Sequence, residues 1–237
     1  LELLGVADEI VARGTSIKRG HGFVNTQYVG SLEFSNCPKP FNFIVTLPQF
    51  ETEAILEKRL CKLAPESVWY GAEVVSVQQN NDSALVEIRN LKTGKLENKN
   101  QQVKTVVSAK YLIACDGKDS TVRHLASISF RGKDYPDTYV MGDFEDNTKF
   151  GTDAALYLTN EGLVESFPLA RGRRRWVAKT NERVTELSVE LLAGLVRVRV
   201  HHELPVTTNT MLSSFGVQRY LADTFVKGRV LLAGDAA

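Results

Sequence analysis

The sequence predicts a mixed α/β fold in which a unit with parallel strands is interleaved with an antiparallel sheet. Three observations predict it. The apolar run Val230–Ala233 ends abruptly in Gly234-Asp235-Ala236-Ala237, and the run Tyr111–Cys115 ends in Asp116-Gly117-Lys118-Asp119. Each reads as a strand feeding a turn at its carboxyl end, the edge where open α/β sheets bind ligands. Residues 68–109 read as a β-meander, because strand-like runs flank the turn signal Asn80-Asn81-Asp82-Ser83. Residues 131–217 hold a further series of short strand-like runs, which predicts an antiparallel sheet.

In chain order, Leu3, Val6, Ala7 and Ile10 have helical spacing, so the opening ten residues predict an amphipathic helix ended by Gly14. From Ile17 to Ile44, Phe23, Tyr28, Val29, Leu32 and Phe34 alternate with glycines and Thr26, which predicts extended strands before a Pro38–Pro40 turn. Pro48 opens a helix with Leu56, Leu60 and Leu63 on one face and Glu51 and Glu53 near its amino end, where the macrodipole favours them. Within the meander, Val74–Val77 and Ala84–Ile88 are strands, Thr93-Gly94 a turn, Lys95–Gln102 a solvated hairpin end and Val103–Val107 a third strand. Ser120 caps a helix that starts near Thr121. Tyr139–Phe144, Ala155–Leu158, Leu163–Phe167 and Trp176–Lys179 are strands, and Ser213–Phe215 a last one. Leu187, Leu191, Leu195 and Val198 give a helical stripe before it.

Composition excludes several classes. With 237 residues and 43% apolar content the chain can bury one or two cores. A net charge of +1 favours neither nucleic acid nor an acidic membrane surface. No apolar run reaches transmembrane length and no signal-peptide pattern opens the chain. Cys37, Cys61 and Cys115 are odd in number and lack metal-ligand spacing, so no metal site and a reducing, cytoplasmic compartment are expected. Cys115 reads as a small core residue. His21, His124, His201 and His202 stand in no nucleophile context, and adjacent histidines are more often inert than ligating. The one basic cluster, Arg171-Gly172-Arg173-Arg174-Arg175, reads as a solvated hairpin turn with Trp176 packed inward.

The two aspartate–glycine turns carry the chemistry. Glycine lets a backbone approach a ligand closely, and aspartate offers a carboxylate to a sugar-like hydroxyl. Lys118 and Arg123 add positive charge beside a turn suited to phosphates. Taken in order, Leu47-Pro48-Gln49-Phe50-Glu51-Thr52-Glu53, Asp116-Gly117-Lys118-Asp119-Ser120-Thr121-Val122-Arg123 and Gly228-Arg229-Val230-Leu231-Leu232-Ala233-Gly234-Asp235-Ala236-Ala237 resemble three motifs of the group A flavoprotein monooxygenases. These are the FAD-dependent, p-hydroxybenzoate hydroxylase-like aromatic hydroxylases. The resemblance implies that Gln49 contacts the flavin cofactor. It implies that Asp116, Gly117, Ser120 and Arg123 lie near the FAD pyrophosphate in a motif also linked to NAD(P)H. It implies that Gly234, Asp235 and Ala236 meet the ribityl chain. Arg219 sits where relatives often carry a basic residue near the flavin.

The resemblance divides the chain into an incomplete Rossmann-like FAD-binding domain, residues 1–16, 45–130 and 218–237, and a substrate-binding domain, residues 17–44 and 131–217. It implies a reaction in which NAD(P)H reduces FAD and O2 adds to give a C4a-hydroperoxide. The distal oxygen then passes to a phenolic or other cyclic substrate. Specificity would come from the sheet face of the substrate domain, where Tyr28, Tyr157 and Phe167 are the aromatic candidates. No residue is singled out as catalytic. The family's opening strand and Gly-x-Gly-x-x-Gly turn have no counterpart; Gly20-His21-Gly22 is the nearest glycine pair. The expected segment therefore starts after that turn and stops before the family's next glycine-rich loop, and in isolation it is expected to be inactive. Two other readings share the residues: a geranylgeranyl reductase-like flavin reductase, and a non-catalytic nucleotide-binding or interaction module.

Overall fold

Strand and helix alternate irregularly along the chain in a computed structural model that describes residues 1–90 and 104–237. In order, the elements are α1 (Ala7–Arg13), β1 (Thr15–Ile17), β2 (Arg19–Val24), β3 (Gln27–Glu33), β4 (Ile44–Thr46), α2 (Gln49–Leu63), β5 (Ala72–Gln79), β6 (Ala84–Asn90), β7 (Lys104–Ala109) and β8 (Leu112–Ala114). They continue with α3 (Thr121–Leu125), β9 (Phe130–Glu145), β10 (Ala154–Thr159), β11 (Gly162–Leu169), β12 (Arg173–Thr180), α4 (Val189–Val200), β13 (Met211–Ala222), β14 (Val226–Lys227) and β15 (Val230–Leu232). The predicted turn at Thr93-Gly94, the polar run Lys95–Gln102 and the start of the strand at Val103 lie outside the described residues.

Two compact units divide the chain, one of residues 1–65 and 135–217, the other of residues 66–134 and 218–237. The segments 1–16 and 45–65, given to the cofactor domain from sequence, belong to the first compact unit.

The first unit is organised by a seven-stranded sheet in the order β13-β9-β12-β11-β10-β2-β3. It is antiparallel except where β10 runs parallel to β2, with Ala154 opposite Gly20 and Leu156 opposite Gly22. The expected sheet is therefore mixed: β2, from the Ile17–Ile44 segment, joins it by a long connection, and only a long connection permits a parallel neighbour. Alternation along the strands gives the sheet two distinct faces. Val140, Phe144, Tyr157, Val164 and Trp176 form one core face with Leu192 and Val196 of α4. Fully burying such side chains contributes about 1.5–3 kcal/mol each. Arg175, Phe167 and Leu156 lie on the opposite face.

Helix α4 is capped by Ser188, whose hydroxyl accepts from Leu191 N. Its buried residues are Leu192, Val196, Arg199 and Val200, so the predicted stripe is rotated: Leu191 and Leu195 are half-buried and Val198 is exposed. Helix α2 differs in the same way. It begins right after Pro48 as expected, but Glu51 and Ile55 are its buried residues while Leu56, Leu60 and Leu63 are exposed. Ile55 packs with Val6 and Ile10 of the α1 segment, and Arg13 fastens Glu51 through Nη2 at 2.7 Å. Helix α1 starts at Ala7, later than the spacing predicts, and stops at Gly14.

The second unit holds the meander β5-β6-β7 and a three-stranded sheet in the order β14-β15-β8. The turn after β5 is closed by Asn80, whose Oδ1 accepts from the amides of Asp82 and Ser83 at 2.8 Å. Ala114, Val122, Ile128, Val230 and Leu232 form its core. Cys115 is not part of it: β8 ends at Ala114, and the thiol-bearing residue is exposed, as are Cys37 and Cys61. No helix among the described residues is long and apolar enough to cross a membrane.

Candidate functional site

Strands β8 and β15 run parallel, with Leu112 opposite Val230 and Ala114 opposite Leu232. Two turns far apart in sequence therefore leave the same sheet edge side by side. Ala233 N donates to Ala114 O at 2.9 Å and carries the pairing one residue further. Gly117 and Gly234 adopt φ values of +81° and +61°, which a side chain rarely tolerates. A Cβ at either would meet nothing within 4 Å, so the bare backbone of both turns faces open space.

Asp116 organises the first turn. Its Oδ1 accepts from Ser120 Oγ at 2.5 Å and its Oδ2 from Val122 N at 3.0 Å. Burial opposes ionisation of Asp116, but the Ser120 hydroxyl and the backbone amides outweigh it and hold the carboxyl below its ordinary value. Ser120 also accepts from Arg123 N and so caps α3 as expected.

Arg123 joins the two turns. It is 2% exposed, donates from Nη2 to Lys118 O at 2.8 Å and from Nη1 to Ala236 O at 3.1 Å, and stacks on Phe130. Its guanidinium is thus committed to backbone carbonyls of both motifs. Lys118, by contrast, is exposed beside Asp119. Ala236 is buried, whereas Asp235 is exposed and its carboxylate has no partner among the described residues. Asp223 is paired with Arg131 at 3.0 Å. Arg219 is an exposed residue of β13.

Seven of the eight residues singled out from sequence therefore share one unit. Gln49 lies in the other, at the first position of α2, where its Nε2 donates to Glu53 Oε1 at 2.8 Å. It borders a cavity of about 680 Å³ together with Met141, Asp143, Arg173, Arg175 and Ser213. Here the basic cluster departs from the solvated turn expected of it. The bend itself is at Arg171 and Gly172, and Trp176 does pack inward. Yet Arg174 is fully buried, pairs with Asp146 at 3.0 Å and donates to Gly151 O and Ser166 Oγ. Arg175 grips both oxygens of Asp143 at 2.7 and 2.9 Å, and Arg173 donates to Asp143 O and Thr208 O. Asp143 of β9 and Asp146 just past its end, some thirty residues upstream, fix Arg175 and Arg174, and a linear run of charge does not reveal such partners.

A second cavity, of about 480 Å³, is apolar and lined by Ile17, Gly22, Leu32, Ile44, Leu156 and Phe167, among others. Of the aromatic candidates Phe167 borders it. Tyr157 lies in the α4 core, where burial pushes its hydroxyl up to about 12, and Tyr28 is exposed. His202 stacks on Trp176, and His201 caps α4; no cluster able to hold a metal ion occurs among the described residues.

A family model described as an FAD binding domain matches residues 1–237. The uncharacterized aromatic compound monooxygenase YhjG of Bacillus subtilis strain 168 is 31% identical over 244 residues, covering 100% of this chain and 46% of its own length. Aklavinone 12-hydroxylase DnrF of Streptomyces peucetius subsp. caesius is 28% identical, covering 98% of this chain and 51% of its own. The chain thus spans about half the length of these curated relatives. The crystal structure of p-nitrophenol 4-monooxygenase PnpA from Pseudomonas putida DLL-E4 matches all of this chain and 60% of its own with a TM-score of 0.82 at 19% identity, a likeness of fold.

Proposed function

The chain belongs to the FAD-binding domain family, and on that premise we propose that it is part of a flavin-dependent monooxygenase that uses NAD(P)H and O2 to hydroxylate an aromatic or related cyclic substrate. The observation that carries this is the parallel pairing of β8 and β15, which sets the Asp116-Gly117 and Gly234-Asp235 turns at one edge. The residues present fit a dinucleotide. Two turns offer bare glycine backbone, and Asp235 offers an unpartnered carboxylate to a hydroxyl. When bound, FAD supplies the redox and oxygen-activating chemistry that no side chain provides.

On this reading Asp235 binds the ribityl chain by accepting its hydroxyl, and Gly234 and Ala236 let the chain approach. Asp116, Ser120 and Arg123 hold the first turn in shape beside the pyrophosphate, with Gly117 as the open position. Gln49, at the first position of α2, is proposed as a further contact of the flavin cofactor. The pieces 1–16, 45–130 and 218–237 serve the cofactor, and 17–44 and 131–217 serve the substrate. The three free, exposed cysteines fit a cytoplasmic setting. Without a Gly-x-Gly-x-x-Gly turn of its own, the 237-residue chain alone holds FAD weakly and does not turn over. Reconstitution with FAD, followed by oxygen uptake with NAD(P)H and a phenol, tests the proposal. A protein containing this chain and its flanking sequence that never takes up FAD would refute it, and turnover without oxygen consumption would favour a reductase.

A further inference from the structure

Glu165 is the one acid of β11, and the site described above does not use it. Its register partners are Leu156 on β10 and Val177 on β12. Paired residues share a face, so Glu165 stands on the sheet face opposite α4, level with Leu156 and two positions from Phe167. Both of those residues line the apolar cavity. The floor of that cavity is backbone: Gly20 and Gly22 of β2 oppose Ala154 and Leu156, and Gly30 pairs with Gly22. A Cβ at Gly30 would meet nothing within 4 Å, so the floor is flat and open. A volume of about 480 Å³ falls within the range of small-molecule sites.

Glu165 is half-buried and has no hydrogen bond or ion pair among the described residues. The cations of β12 that share its face are engaged elsewhere, Arg173 by the carbonyls of Asp143 and Thr208, Arg175 by the Asp143 carboxylate and Lys179 by Asp137. The neighbouring segments β1 and β4 carry no ionisable side chain. Burial without a compensating partner raises the Glu165 carboxyl above its ordinary value. Glu165 adjoins the lining residue Leu156 without lining the recess itself, and a lone half-buried acceptor there is costly to the fold and gains a partner only from what enters beside it.

We propose that the apolar cavity takes the flat, uncharged ring system of the substrate and that Glu165 accepts the hydrogen bond of a ring hydroxyl, selecting hydroxyarenes over arenes and over ring carboxylates. This rests on the aromatic-substrate reading above and assigns it a specificity residue. A carboxylate on the ring would face a second carboxylate, and the described cations on that face of β12 are already engaged.

The test is a fluorescence titration, with FAD present, of the longer protein that carries this chain, using three matched probes, 2-naphthol, naphthalene and 2-naphthoate. The parent should bind 2-naphthol about tenfold more tightly than naphthalene, the magnitude of one hydrogen bond to a charged acceptor, and should exclude 2-naphthoate. Glu165→Leu should abolish the naphthol preference while keeping naphthalene. Glu165→Gln, which preserves shape, should admit 2-naphthoate. The naphthol preference should grow as pH rises through the ionisation of Glu165, above 4.5, and should be flat with pH in Glu165→Gln. An unchanged naphthol-to-naphthalene ratio in Glu165→Leu would overturn the proposal. So would naphthalene affinity unaltered by Leu156→Trp, which fills the cavity. FAD retention, read on the same samples, tests the monooxygenase reading separately.

Discussion

Replacing Arg123 with methionine should loosen the paired turns more than any surface change in the same unit. Methionine keeps the aliphatic stem on Phe130 but removes the guanidinium. Two hydrogen bonds from a charged donor are lost, to Lys118 O and Ala236 O. Bonds of that kind contribute about 1.5–3 kcal/mol each. Stacking of the guanidinium carbon 3.7 Å above the Phe130 ring adds about 0.5–2 kcal/mol. Against this, the substitution relieves the desolvation of a charge that is only 2% exposed and of an Nε with no partner. The net cost should be about 2–4 kcal/mol, localised to the second unit. Hydrogen exchange at the amides of β8 and β15 is the assay. It reads local opening, where a global melt would mix two units that need not unfold together. Exchange at Leu232 and Ala233 should accelerate about thirtyfold or more, and Lys118→Met should leave it unchanged. Equal protection in Arg123→Met and the parent would show that the turns hold their positions without the clamp.

Other outcomes follow from the same geometry. Asp235→Ala should weaken FAD retention by roughly ten- to a hundredfold without altering apo-protein melting, while Asp223→Ala, which removes only a surface pair with Arg131, should leave affinity unchanged in dissociation measurements. Asp116 has a lowered carboxyl, so its contribution is complete above its ordinary value of 3.8 and is lost as pH falls through the lower folded value; a pH series of helix protection at α3 should show this, and Asp116→Asn should flatten it. Gly132→Ala should destabilise the second unit by about 2 kcal/mol or more in denaturant titration, because its Cβ would sit 2.0 Å from Arg219 O and 2.5 Å from Tyr220 Cα, both backbone atoms that cannot swing aside.

Elements whose signal is local were legible in the sequence. The two apolar strands, the Asn80 turn, the Pro48 helix start and the Ser120 cap each depend on residues within one turn of chain, and all stand where the pattern puts them. What a helix faces is a different matter. Leu56, Leu60 and Leu63 do share a face of α2, but periodicity says only that they share it, and the side packed on Val6 and Ile10 is that of Ile55 and Glu51. The arginines of β12 were illegible for a related reason. Asp143 and Asp146 become their partners only through the antiparallel register of β12 with β9. Arg123 was legible as a motif member, whereas its use as a clamp depends on the meeting of two strands. Glu165 gave no sequence signal, because its lack of a counterion is a property of the neighbouring strands.

The β8–β15 pairing has an evolutionary consequence. Its strands are separated by the whole of residues 135–217, which belong to the other unit. Closing a loop on the order of a hundred residues is entropically costly once, but the cost rises only logarithmically, by about 0.6 kcal/mol for each doubling of length. An intervening segment can therefore be lengthened, shortened or replaced at almost no expense to the two turns at the sheet edge. Such a chain can exchange the intervening segment by insertion and recombination while the paired turns of β8 and β15 persist.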